Sequence, residues 1–422
     1  MKKSYWLAAL ALAVLLPGLP DLSVLPDLFA AQIPFEQAAA DLASPDAAVR
    51  LRAVQLLKQA AFPEAAIPLA PLVGDARDDI QLEAIAAELN IFLAAPAASK
   101  KGLRMGAEPA FSAGSSALGL RPVPIEVVNA LRKAARDENP RVAVDALYVF
   151  GLLASEQKGS ARHDLLNAAG PDLAAFVGAS LPVLRLAGVR VLGRLFEKRA
   201  TDPPIEPTVG DAVITALNDA DRAVKLAAMQ ALGSMRYERG VQALTELFTY
   251  YGKGEPAEAS LDALAHIGHP TSVPLFVAQL TSKTPAIRGI AMEGLARSHD
   301  VSALAALQSA IDHESNQDAA LAGAFALVML GNAPTDKVSD SLGPARTRDQ
   351  ARQYLIELAP GRTATFAHQL LDSDPEIRVM MVEILGLAGD PAAIAVLEPL
   401  THDRVPEVAL AAELAVARLS RH

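Results

Sequence analysis

Hydrophobic residues recur with a helical period along most of the chain, and the pattern is clearest within residues 372–389. Five apolar residues at this spacing would share one helix face: Ile377, Met380, Met381, Ile384 and Leu385. Asp374 can accept a backbone hydrogen bond at the helix start, and Pro375 has the backbone angle that a first helical position favours. Gly386 and Gly389 offer an end to the helix. The stretch predicts a capped amphipathic helix with one face to bury.

The same pattern is repeated along the chain. Ile80 follows Val49 by 31 residues, and Val408 follows Ile377 by the same interval. Further copies lie at residues 138–147, 219–233 and 283–291, with weaker ones at residues 181–189, 255–261, 316–321 and 346–351. Shorter apolar segments such as residues 241–248 predict a first helix before each capped second helix. One pair cannot bury its apolar face alone, so we expect about ten pairs stacked into an all-α solenoid.

This repeated unit resembles HEAT repeats of the short type that also occurs in phycobilisome-lyase-like proteins. A turn acid or proline precedes Val or Ile and then Arg, as at Val49 and Arg50, with Ala53 three residues on and Leu-Gly at the helix end of other copies. The resemblance covers about residues 34–420. It implies a right-handed α-α superhelix whose second helices line the concave face. It implies no single activity, because proteins of unrelated function share such repeats.

Residues 96–122 interrupt the repeats. They are rich in Gly, Ser, Ala and Pro and lack helical periodicity, although the interval across them is twice the repeat length. We expect one unit to be replaced here by an irregular loop, either a disordered spacer or a segment that contacts a partner. The expected organisation is therefore HEAT-like repeats over residues 31–95, this loop, and a continuous array over residues 123–422.

The first 30 residues predict an export signal. Lys2 and Lys3 precede the short apolar run 6–16, which Pro17 ends before it reaches the roughly 20 residues that a membrane span needs. Cleavage near Ala30 would leave an exported protein, periplasmic or secreted, from a bacterium, with no membrane span. An uncleaved N-terminal anchor is the alternative, because the segment between the apolar run and this site is long.

Composition excludes several further classes of function. The chain is 51% hydrophobic and 20% charged, with a formal net charge of −10, so there is no overall basic field for nucleic acid. It contains no cysteine, which removes thiolate nucleophiles, iron–sulfur clusters and cysteine-based zinc sites. We expect neither nucleic acid nor a cofactor as a ligand.

Charged residues at the repeated turns allow two interpretations. The repeated arginines are Arg50, Arg288 and Arg378, and the turn acids nearby are Asp46, Asp219 and Asp374. The arginines could form a basic ladder for an acidic ligand. In HEAT-like repeats, however, such arginines bond to turn acids and carbonyls of adjacent units, so the resemblance favours a structural ladder between repeats.

Histidines offer little sign of catalysis. The HEAT-like deoxyhypusine hydroxylases hold two irons with repeated His-Glu dipeptides, whereas this chain has one such pair, His313-Glu314. His266 and His269 are three residues apart and could in principle bind a metal. Gly268 and Pro270 place them at a turn, which favours capping or solvent exposure. No catalytic, cofactor-binding or metal-binding residue is therefore predicted.

Two functions remain after these exclusions. The first is a non-catalytic exported scaffold that binds a protein or peptide on the concave face of the solenoid. The second is a lyase-like or hydroxylase-like HEAT-repeat enzyme, or a subunit of one, with a tetrapyrrole or a metal site. Phycobilin lyases act in the cytoplasm, so the export signal favours the scaffold.

Overall fold

A computed structural model describes residues 35–94, 105–199 and 201–420. The predicted export signal lies outside these described residues. Within them the regular structure is helical, apart from an isolated backbone bridge between Leu93 and Leu118. No helix in the described ranges is both long enough and apolar enough to cross a membrane.

Twenty-three α-helices follow one another along the described residues. The N-terminal helices are α1 (Phe35–Asp41), α2 (Ala47–Ala60), α3 (Ala66–Leu69), α4 (Asp78–Phe92), α5 (Ala107–Ala113), α6 (Ile125–Ala134) and α7 (Pro140–Ala154). The central helices are α8 (Gly159–Val177), α9 (Pro182–Leu195), α10 (Pro207–Ala216), α11 (Arg222–Ser234), α12 (Val241–Tyr251), α13 (Glu255–Ile267), α14 (Val273–Gln279) and α15 (Pro285–Arg297). The C-terminal helices are α16 (Leu304–Asp312), α17 (Gln317–Met329), α18 (Asp336–Ser339), α19 (Arg348–Leu358), α20 (Ala367–Leu370), α21 (Pro375–Ala388), α22 (Ile394–Leu397) and α23 (Pro406–Leu419).

Apart from α5, these helices form successive pairs, from α1 with α2 to α22 with α23. Each second helix packs on the second helix of the next pair, so α2, α4, α7, α9 and their successors form one continuous layer. The first helices form the other layer, and several are divided into short α and 3₁₀ segments, as at Pro63–Ala65 before α3. The described residues contain eleven pairs. The predicted all-α solenoid of about ten pairs is confirmed.

Capping residues start the second helices where the sequence indicates. Asp374 accepts a hydrogen bond from the backbone N–H of Glu376 at 2.9 Å, and Pro375 is the first residue of α21. Asp221 and Asn139 cap α11 and α7 in the same way. These side chains satisfy N–H groups that have no partner within the helix.

Glycines near the ends of the second helices let neighbouring helices approach closely. A Cβ atom on Gly386 would lie 2.8 Å from the Cβ of Ala415 in α23, and one on Gly193 would lie 2.9 Å from Ala231 in α11. Gly386 lies inside α21, which ends at Ala388 before Gly389 adopts a φ of +74°. The prediction that Gly386 offers a helix end is therefore wrong, because close packing requires a glycine there.

The segment 96–122 differs from the predicted loop. Residues 95–104 lie outside the described part, but α5 and a 3₁₀ turn at Gly114–Ala117 follow them. Phe111 of α5 is 3% exposed and packs next to Gly151 of α7. The loop prediction is wrong for this second half, because tertiary packing stabilises a helix that has no amphipathic period. We call residues 105–119 the insert.

Candidate functional site

The repeated arginines bond between neighbouring pairs. Arg378 contacts Asp403 of the next pair through two N–O distances of 3.1 Å, and it donates to the carbonyl oxygen of Asp372 at 2.7 Å. Three further bidentate contacts share this geometry: Arg50 with Asp75, Arg185 with Asp219, and Arg288 with Glu314. Each carboxylate also accepts a backbone N–H from its own turn, as Asp219 does from Asp221. These arginines therefore join adjacent turns.

Two of the predicted acidic partners have another role. Asp46 accepts from the backbone of Ala48 at 2.8 Å, and Asp374 accepts from Glu376, so both cap their own helices. Their carboxylates form no hydrogen bond with the guanidinium of Arg50 or Arg378, although their backbone carbonyls accept the N–H groups of these residues in the first turn of the helix. Helix stacking brings the turn acid of the following pair closer to each guanidinium than the cap of its own helix.

The ladder leaves little free charge for a ligand. Hydrogen bonds from Arg50 hold the pKa of the Asp75 carboxyl below its usual value, and those from Arg288 do the same for Glu314. A carboxylate that is this well paired stabilises the fold at neutral pH. The guanidiniums of this ladder are therefore already paired within the fold.

The candidate histidines do not converge. His313 Nδ1 lies 2.7 Å from the carbonyl oxygen of Ser309, while Glu314 is held by Arg288. His269 accepts from the backbone of Thr271 and so caps a turn. Within the described residues no group of three or more His, Asp or Glu side chains is placed to hold a metal ion.

His266 lies on α13 and bonds within its own helix. Its Nδ1 lies 2.9 Å from the carbonyl oxygen of Asp262. Burial opposes protonation of the ring, but hydrogen bonds and charge from Asp262 outweigh it and raise the pKa of His266. This contact is local and leads to no second metal ligand.

The stack curves so strongly that distant second helices touch. Arg236, after α11, lies 3.7 Å from the carboxylate of Glu357 in α19, four pairs further along. The same carboxylate lies 3.0 Å from the guanidinium of Arg297 in α15, which also contacts Glu293 at 2.9 Å. These contacts place the layer of second helices on the inner side of the curve.

A groove of about 670 Å³ lies on this inner side. Its walls are the insert, α9, α11 and the facing side of α19, with Leu387 of α21 at one edge. Gln230 on α11 and Gln353 on α19 present exposed amide groups to it, while Ile356 adds apolar surface. We call this cavity the central groove. Its volume is in the range of ligand-binding pockets in proteins.

Arg190 of α9 fixes the insert as a wall of the central groove. Its guanidinium lies 2.6 Å from the carboxylate of Glu108, and it donates to the hydroxyls of Ser112 and Tyr148 at 2.9 and 3.2 Å. It also lies over the ring of Phe111, 5.5 Å from the centroid. The guanidinium of Arg190 therefore holds the insert against α9.

Arg194 lies one turn further along α9 and differs from Arg190. Its guanidinium covers the ring of Phe111 at 4.5 Å and approaches Gly114 so closely that a Cβ there would lie 2.6 Å from Nη1. No hydrogen bond or ion pair joins the side chain of Arg194 to another described residue, and its Nε is buried. Burial lowers the pKa of Arg194, but the group remains charged at neutral pH.

Arg352 lies on the α19 side of the central groove. One guanidinium nitrogen contacts Glu383 at 3.1 Å, whereas its buried Nε has no hydrogen-bond partner in the described ranges. Arg194 and Arg352 are thus two cations of one groove with donors left unused. Neither residue was predicted as a site residue from the sequence. The signal available was the i, i+4 pair Arg190 and Arg194 on one amphipathic helix.

Comparisons with known proteins agree with this architecture. The profile of "HEAT repeats" matches residues 254–328, and that of "PBS lyase HEAT-like repeat" matches residues 224–250. No curated protein matches the chain. The stacked pairs and these matches define an α-solenoid of repeated units. The chain is a HEAT-repeat protein.

Solved structures with similar chains include several solenoids. A chain from a structure of Kap95p with RanGDP is 14% identical, with a TM-score of 0.40, and the match covers 92% of this chain and 55% of that chain. A chain from a study of cadherin and β-catenin is 14% identical with a TM-score of 0.42, and the match covers 92% and 91%. For Kap121p the identity is 13%, the TM-score is 0.39, and the coverage is 92% and 45%. The chain thus spans about half the length of the two karyopherin chains.

Proposed function

We propose that this HEAT-repeat protein is a non-catalytic scaffold that binds a protein or peptide segment in the central groove. The observation that supports it is the groove itself, which is walled by the insert and by second helices of distant pairs. Exposed amides of Gln230 and Gln353 face the space between them, where they can bond to the backbone of an extended segment. Apolar surface at Ile356 and Leu387 can bury a side chain of the same segment.

A peptide array tests this proposal. Purified protein is applied to arrayed peptides of varied sequence, and the positives are measured again with Gln230→Trp and Gln353→Trp, which fill the groove from opposite walls. Gln242→Trp on the outer helix α12 is the matched control, since Gln242 is also exposed. We expect the two groove variants to lose binding and the control to keep it. Binding that all three variants retain would place the peptide elsewhere and refute the proposal.

We also propose that the protein acts outside the cytoplasm, in the periplasm or as a secreted protein. The support is the basic and apolar N-terminal segment that Pro17 ends. N-terminal sequencing of protein recovered from the periplasm or medium tests it, and the expected first residue is close to Ala31. Recovery only from the cytoplasm with Met1 intact would contradict export.

A further inference from the structure

We propose that the central groove binds an acidic peptide segment, whose Asp or Glu carboxylates bond to Arg194 and Arg352. This inference rests on the proposed function, since it names the chemistry of the segment that the groove accepts. Neither arginine belongs to the repeated set Arg50, Arg288 and Arg378.

Arg194 and Arg352 both keep hydrogen-bond donors that have no partner in the described residues. A guanidinium has five N–H donors, and a buried donor without an acceptor is unfavourable. The Nε atoms of Arg194 and Arg352 are both buried without a hydrogen-bond partner in the described part of the chain. A ligand in the groove cannot reach these two atoms, but the Nη donors of Arg194 also have no partner among the described residues, and its side chain is partly exposed in the groove. A carboxylate there can accept two parallel N–H bonds from one guanidinium.

Other arginines on the inner surface are paired within the fold. Arg190 is held by Glu108, Ser112 and Tyr148, and Arg297 is held by Glu293 and Glu357. Arg190 and Arg297 are therefore already paired within the fold. The guanidinium of Arg194 lies over the ring of Phe111 and close to Gly114, and these contacts fix its position. No carboxylate of the described residues forms an ion pair with Arg194. Its guanidinium is therefore positioned in advance, which reduces the entropy cost of binding.

Nearby carboxylates reduce the positive charge of the central groove but do not pair with Arg194. Glu197 lines the central groove and Glu156 lies behind the insert, where it accepts from the hydroxyl of Ser115 at 2.8 Å. Neither forms an ion pair with Arg194, whereas Arg352 shares one contact with Glu383. A segment with alternating acidic and apolar residues fits this surface, since Ile356 and Leu387 line the same groove as the two arginines.

An acidic peptide fits better than a single-stranded nucleic acid. Base recognition of that kind uses exposed aromatic rings for stacking along a basic track. Phe111 is 3% exposed and lies beneath two guanidinium groups, and the protein carries a net charge of −10. Two arginines among several acidic groups suit a few carboxylates more than a continuous phosphate backbone.

Fluorescence anisotropy with three labelled probes tests the inference. The first is a short peptide in which Glu alternates with Leu and Ser, the second has Gln at every Glu position, and the third is an oligothymidylate. We expect the Glu peptide to bind about tenfold or more tighter than the Gln peptide, because two charge-assisted contacts are added. Its affinity should fall as salt is raised.

Matched variants locate the effect. Arg194→Gln and Arg352→Gln should each reduce the affinity for the Glu peptide towards that of the Gln peptide, while Arg194→Lys keeps the charge and part of the affinity. Arg346→Gln is the control, because Arg346 is exposed, pairs with Asp318 at 3.0 Å and lies outside the groove. Circular dichroism and thermal melting establish that each variant is folded.

The outcomes separate the two proposals. Equal affinity for the Glu and Gln peptides, lost in Gln230→Trp, would overturn the acidic preference and leave the groove as a peptide site. Preference for the Glu peptide that survives both arginine substitutions would overturn the assignment of Arg194 and Arg352. Binding of the oligothymidylate in place of the Glu peptide would overturn the inference in favour of nucleic acid. If no array peptide depends on the groove, the proposed function fails as well.

Discussion

Glu88 is a carboxyl group inside the core of α4. Its side chain is fully buried, and neither carboxylate oxygen has a hydrogen-bond partner in the described residues. Burial raises the pKa of Glu88 well above its usual value. In the unfolded chain the group ionises near its ordinary pKa of about 4.3. As the pH rises from that value towards the pKa of the folded state, deprotonation of the unfolded chain therefore lowers the free energy of unfolding.

We predict that Glu88→Gln stabilises the protein at pH 7 by at least about 1 kcal/mol, because each pKa unit of difference corresponds to about 1.4 kcal/mol. The gain should shrink as the pH approaches 4, where both states hold the proton. Urea unfolding across this pH range measures it. Glu83→Gln, on the partly exposed side of the same helix, is the control and should change stability by about 0.5 kcal/mol or less. A gain that is the same at every pH would contradict the assignment.

At the scale of one element, the insert depends on the conformation of Gly114. This residue has a φ of +68° and lies under the guanidinium of Arg194. A side chain there meets two penalties, backbone strain and steric overlap. Gly331 has a similar φ of +73° but has open space around its Cα. Gly114 also has a ψ of −151°, a region that only glycine adopts readily, so Gly331 controls for a positive φ and not for the whole backbone strain at Gly114.

We predict that Gly114→Ala loosens the insert and weakens peptide binding, whereas Gly331→Ala costs only the strain of a positive φ, about 1–2 kcal/mol. Hydrogen exchange over residues 107–117 reports the insert, and anisotropy reports the groove. Equal protection of this segment in the Gly114→Ala protein and the wild type would show that Arg194 moves aside without affecting the wall.

At the scale of the whole molecule, stability is distributed along the stack. Each pair contacts its neighbours, so its stability depends mainly on its own core and two interfaces. Leu385 is fully buried in α21 and packs within the C-terminal pairs. A cavity there should affect α21 and α23 before it affects the distant N-terminal helices.

We predict that Leu385→Ala costs about 2–5 kcal/mol and raises hydrogen exchange first in α21 and α23. Leu371→Ala is the control, because Leu371 is 82% exposed and its truncation should stay within about 0.5 kcal/mol. Native-state hydrogen exchange followed by mass spectrometry resolves the helices. A uniform loss of protection from α2 to α23 would mean that the stack unfolds as one unit.

The repeating unit could be predicted from sequence because its signals are local. Helical spacing of apolar residues, a cap such as Asp374 and a proline such as Pro375 act within one turn of the chain. They were sufficient for the all-α solenoid and for its approximate number of pairs. The right-handed sense of the superhelix stays a prediction from the resemblance.

The central groove could not be predicted in this way. Arg194 and Arg352 lie five pairs apart, and only the accumulated curvature of the stack brings α9 and α19 to one cavity. The insert becomes helical because Phe111 and Arg190 pack it on α7 and α9, although residues 105–119 have no amphipathic period. The sequence by itself determined the unit that stacks, through local chemistry. Tertiary structure decided which charges remain unpaired, since that depends on contacts between distant pairs.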